Sequence, residues 1–64
     1  MSYPELRYGV LESGDVIQEN DRKWVVVTKE YVNPSTVALD LWEWGGGAQL
    51  RLVKDDLDIA EVVG

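Results

Sequence analysis

The chain contains no cysteine and no histidine. Without cysteine, neither a disulfide framework nor a thiolate metal site braces the fold, and hydrophobic packing has to suffice. The same two absences remove the commonest general base and the strongest natural nucleophile. Ser2, Ser13 and Ser35 stand at a terminus or in turn-forming stretches, where hydroxyls satisfy backbone groups. Asp40 and Glu43 are the nearest thing to a carboxylate pair, but their spacing puts them on opposite faces of one strand. The expectation is a protein that is not an enzyme and takes no cofactor.

Long hydrophobic runs are also missing. The longest unbroken aliphatic stretch is Val25, Val26 and Val27, and the first residues, with Tyr3, Pro4 and Glu5, contain no apolar run of signal-peptide length. A cytoplasmic protein without a membrane segment is expected. Basic residues are scarce too: six Lys and Arg against twelve Asp and Glu leave a net charge of −6. No basic stripe is available to release counterions from a phosphate backbone, so direct nucleic-acid binding is disfavoured.

What is present suits one small β domain. A chain of 64 residues is far below the roughly 250 at which cores divide, so residues 1–64 are read as a single domain. Turn residues recur at Ser13-Gly14-Asp15, Glu19-Asn20-Asp21, Asn33-Pro34-Ser35, Gly45-Gly46-Gly47 and Asp55-Asp56, the cadence of a meander. Between them lie runs rich in β-branched and aromatic residues at 16–18, 23–31, 36–44, 48–53 and 59–63, and none has sustained helical periodicity. Five strands are predicted. Residues 1–10 form a candidate N-terminal arm, with an extended piece from Leu6 to Leu11 pairing with the sheet, and Asp55-Asp56-Leu57 is a candidate turn of 3-10 helix.

The alternation is clearest in residues 36–44, where Val37, Leu39 and Leu41 share one face and Thr36, Ala38, Asp40, Trp42 and Trp44 the other. The aliphatic face is the predicted core. Leu50 and Leu52 alternate in the next strand, and Trp24 and Val26 are expected to join them. An open meander exposes sticky edges that so short a chain cannot cover with a helix. A closed five-stranded barrel of SH3-like type is therefore expected, with an OB-type barrel or an open meander that dimerises as the alternatives.

The stretch LESGDVIQENDRKWVVV at residues 11–27 resembles the opening of SH3-like barrel domains, in which a Gly-Asp turn launches an aliphatic strand and a short polar hairpin leads to an aromatic-plus-valine strand. The chain as a whole is similar to short proteins of actinobacterial phages. The resemblance implies a fold and a viral origin, and it carries no site residue with it.

Two motifs have ordinary explanations. Asp55, Asp56 and Asp58 lack the alternating ligands and terminal bidentate Glu of a calcium loop, so a capped solvated turn is expected and no metal. Gly45 to Gly47 are followed by neither Lys-Ser nor Lys-Thr, which makes them a permissive hairpin turn.

The informative feature is aromatic. Trp42 and Trp44 point away from the aliphatic stripe, and exposed tryptophan is enriched at interface hot spots. Tyr31 is expected to lie beside them across the hairpin closed by Asn33-Pro34, giving a patch of Tyr31, Trp42 and Trp44 with Asp40 on the same face and Glu30 and Glu43 at the rim. Such a patch suits a basic or proline-rich protein segment, or a symmetry mate in a homodimer. The expected function is a non-enzymatic protein-binding module, a phage-encoded accessory factor acting on a host protein. Two alternatives are a DNA-mimicking inhibitor using Glu19, Asp21, Asp55, Asp56 and Asp58, and an assembly protein acting as a homo-oligomer.

Overall fold

A computed structural model describes residues 5–63. The chain runs through β1 (Glu5–Arg7), a 3-10 turn (Tyr8–Val10), β2 (Val16–Glu19), β3 (Arg22–Asn33), β4 (Thr36–Glu43), β5 (Gln49–Asp55) and β6 (Ile59–Val62). All pairings are antiparallel, in one sheet of order β1-β6-β2-β3-β4-β5. The domain is all-β, as the turn cadence predicts.

Three expectations are corrected. The sheet has six strands rather than five, because the arm contributes β1 against β6, and it is not closed, since no pairing joins β1 to β5 among the described residues. The 3-10 turn sits in the arm, while residues after β5 form a tight turn in which the Asp58 amide donates to the Asp55 carbonyl at 3.0 Å. The first part of the arm, including Tyr3, lies outside the described residues.

Local sequence explains the turns. Asn20 and Asp21 both adopt positive φ, 52° and 61°, between Glu19 and Arg22, which pair directly. Two left-handed residues closing a two-residue hairpin match the right-handed twist of the strands, and Asn and Asp tolerate that conformation best after glycine. The β4–β5 loop uses Gly45 at φ 77°.

The core holds Tyr8, Leu11, Ile17, Trp24, Val26, Val37, Leu39, Leu41 and Ala60, with Leu50, Leu52 and Val62 packed against it. Alternation in β4 therefore identifies the inward face correctly. Tyr8, Leu11 and Ala60 carry no periodic signal. Tyr8 enters the core because its amide donates to the Asp58 carbonyl at 2.8 Å and the Gly9 amide donates to the Asp56 carbonyl at 3.0 Å, which ties the 3-10 turn to the β5–β6 turn. Its hydroxyl donates to Glu19 Oε2 at 3.2 Å. Burial, and then the Glu19 charge, push the phenol up to about 12.

Strand β3 is long and bent. Val26 pairs with Leu41 but Thr28 pairs with Asp40, so Val27 is an extra residue, a β-bulge. The loop before β2 supplies bonds there: Ser13 Oγ donates to the Val27 carbonyl at 2.8 Å, the Gly14 amide to the Val26 carbonyl at 2.8 Å, and the Val26 amide to the Asp15 carbonyl at 2.8 Å. Because strand side chains alternate, the extra residue turns Thr28 and Glu30 outward and Lys29 and Tyr31 toward the core side.

Candidate functional site

Directly opposed residues in an antiparallel ladder project to the same face. The register therefore assembles the outer face of β3, β4 and β5 in rows: Val25, Trp42 and Gln49; then Thr28, Asp40 and Arg51; then Glu30, Ala38 and Val53. The Trp44 amide donates to the Lys23 carbonyl at 2.8 Å, which carries the ladder one step further and leaves Trp44 beyond Trp42 by the same alternation. Both tryptophans are exposed, Trp42 at 57% and Trp44 at 62%.

The middle row is a polar network. Thr28 Oγ1 donates to Asp40 Oδ2 at 2.8 Å, Arg51 donates to Asp40 Oδ1 at 3.0 Å, and the other Arg51 nitrogen donates to Glu30 Oε1 at 2.6 Å. The Thr28 hydroxyl first, and then the Arg51 hydrogen bond, hold the Asp40 carboxyl below its ordinary value. The bonds to Glu30 and Asp40 hold the Arg51 guanidinium above its own. Asp40, Leu41, Trp42, Gln49, Leu50 and Arg51 line a shallow depression of about 200 Å³.

The expected patch is thus only partly assembled. Trp42, Trp44 and Asp40 share the outer face, but Tyr31 is not beside them. It pairs with Val37, five residues along β4 from Trp42, or roughly 16 Å at the usual strand rise. The bulge turns it to the other face, where Lys29 Nζ stands 5.9 Å from its ring centre. Glu43 also leaves the patch, pairing with Trp24 on the core side and meeting Arg22 at 3.3 Å. Glu30 remains, bound to Arg51. Sequence reasoning missed Thr28, Gln49 and Arg51, because a bulge and a pairing register are invisible in local pattern. Arg51 alone carried a signal, alternating outward between Leu50 and Leu52.

Several acidic residues considered for a DNA-mimicking surface have local structural partners. Glu19 accepts from Tyr8, Asp55 Oδ1 accepts from the Leu57 amide at 2.9 Å, and the carbonyls of Asp56 and Asp58 hold the 3-10 turn. Among the described residues, no group of three or more His, Cys, Asp or Glu is placed to hold a metal ion, and no helix is long and apolar enough to cross a membrane.

No family model matches the chain, and no curated protein matches it.

Proposed function

We propose that the protein is a non-enzymatic binding module that receives an extended, proline-containing segment of another protein on the outer face of β3, β4 and β5. The observation that carries this reading is the exposure of Trp42 and Trp44 on one face, with a shallow depression beside Trp42. Aromatic shelves accept polyproline segments, whose preformed helix loses little entropy on docking. Gln49 and Arg51, which line the same depression, offer donors to peptide carbonyls.

A proline-rich segment is favoured over a purely basic one because Asp40 and Glu30 are both already hydrogen-bonded to Arg51, which a ligand's cation would have to displace. An SH3-like arrangement remains part of this proposal, with β6 returning beside β2 and β3, β4 and β5 forming a meander. β1 is then an addition at the edge.

The test is tryptophan fluorescence titration of the full chain with proline-rich, lysine-rich and scrambled peptides. The proline-rich peptides should shift the emission and bind with little salt dependence, and Trp42→Ala should abolish binding while the circular dichroism spectrum stays folded. Preference for lysine-rich peptides with steep salt dependence would replace this reading with an electrostatic one, and no binding by any peptide would refute it.

A further inference from the structure

Among the described residues β5 is an edge strand, and its outward backbone groups can be assigned. The Glu43 amide donates to the Ala48 carbonyl at 2.9 Å and the Asp56 amide to the Ser35 carbonyl at 2.9 Å. These bonds fix the parity of the β4–β5 ladder. Leu50, Leu52 and Lys54 turn their amides and carbonyls to β4, whereas Gln49, Arg51, Val53 and Asp55 turn theirs to the free edge. The same four residues are the exposed ones, and Val53 is 56% exposed. The Asp55 carbonyl accepts from the Asp58 amide, and a carbonyl has a second lone pair.

Natural edges are protected by shortness, proline, a bulge or an outward lysine. β1, at the opposite edge, has three described residues, Glu5–Arg7. β5 has seven, contains no proline, and keeps unbroken register with β4. Its one lysine, Lys54, leans over the Tyr8 ring at 5.8 Å and does not guard the edge.

We propose that the free edge of β5 is a self-association site, pairing antiparallel with β5 of a second copy about a twofold axis at Val53. Registers that pair three or more of these outward residues are centred on Arg51, between Arg51 and Val53, or on Val53. The first sets two guanidiniums against each other, and the second leaves each arginine opposite a valine. The third places each Arg51 opposite the partner's Asp55 and packs Val53 against the partner's Val53. Charge complementarity thus selects a self-complementary, closed interface. The two outer faces then lie on the same side of one continuous sheet, which makes the dimer bivalent for any ligand of the tryptophan face. The pairing itself does not depend on what that ligand is.

Analytical ultracentrifugation of the full chain, at about 0.15 M salt to screen repulsion between acidic copies, tests this directly. The mass should rise from 7.2 kDa toward twice that value as concentration is raised from micromolar to millimolar. The Val53 amide should gain protection from hydrogen exchange over the same range. Val53→Pro removes an outward donor without touching the β4 ladder and should keep the chain monomeric. Asp55→Arg, which sets like charges opposite Arg51, should weaken the dimer by about tenfold and serves if the proline variant fails to fold. Trp42→Ala should leave the dimer intact. A chain that stays monomeric at millimolar concentration, or a dimer lost in Trp42→Ala but retained in Asp55→Arg, would overturn the proposal.

Discussion

Gly9 lies under the hydroxyl of Tyr31: a Cβ on Gly9 would stand 2.8 Å from that oxygen and 3.0 Å from the Asp56 carbonyl. The contact seats the 3-10 turn against the far end of β3, and Lys29 Nζ secures it by donating to the Gly9 carbonyl at 2.6 Å. Gly9→Ala should therefore destabilise the domain by about 1–3 kcal/mol, measured by urea unfolding, since backbone cannot yield as a flexible side chain does. Tyr31→Phe in the same background should recover only part of the loss, because the Asp56 contact remains.

Tyr8 makes stability depend on alkaline pH. Its folded value, pushed up to about 12, lies above the ordinary value near 10, so the unfolded chain loses this proton first. The contribution is complete below about pH 10 and is lost as pH rises toward 12, on the order of 2 kcal/mol in all. Tyr8→Phe should remove this component of the alkaline loss, while costing about 1 kcal/mol at neutral pH through the missing Glu19 hydrogen bond. Denaturant unfolding of both proteins across pH 8–12 checks both effects.

The outer-face network predicts two titration shifts of the same sign. Thr28→Val and Arg51→Met should each raise the Asp40 pKa toward its ordinary value, the first by removing a hydrogen bond and the second by removing a hydrogen bond and a nearby positive charge. Carbon-13 NMR titration of the Asp40 carboxyl in both variants checks this. No shift in either variant would show that the network does not persist in solution.

The β2–β3 hairpin leaves room for improvement. Asp21 holds φ at 61°, a conformation glycine adopts without strain. Asp21→Gly should raise the unfolding midpoint by an amount equivalent to about 0.5–1 kcal/mol. A decrease would mean that the Asp21 side chain supports the turn more than its backbone burdens it.

Core and surface substitutions on β4 should separate cleanly. Leu39→Ala should cost about 2–5 kcal/mol, enough to unfold much of a domain this small. Trp42→Ala should change stability by less than about 1 kcal/mol, because its ring is mostly outside. Thermal melts of the two variants give the comparison.

The residues themselves determined what depends on near neighbours in the chain: strand character, the turns at Asn20-Asp21 and the glycine run, and the inward stripe of Val37, Leu39 and Leu41. Alternation with a period of two is a local property, so the outward placement of Trp42 was legible as well. The tertiary structure decided what depends on distant segments meeting. The extra residue at Val27, bonded by Ser13 across the chain, turned Tyr31 away from the tryptophans and brought Thr28 to Asp40. The tie between the 3-10 turn and the β5–β6 turn drew Tyr8 into the core, and the pairing order left β5 at an open edge. Hydrogen bonds between remote backbone groups set these outcomes, and no local pattern of side chains encodes which remote group will be in reach.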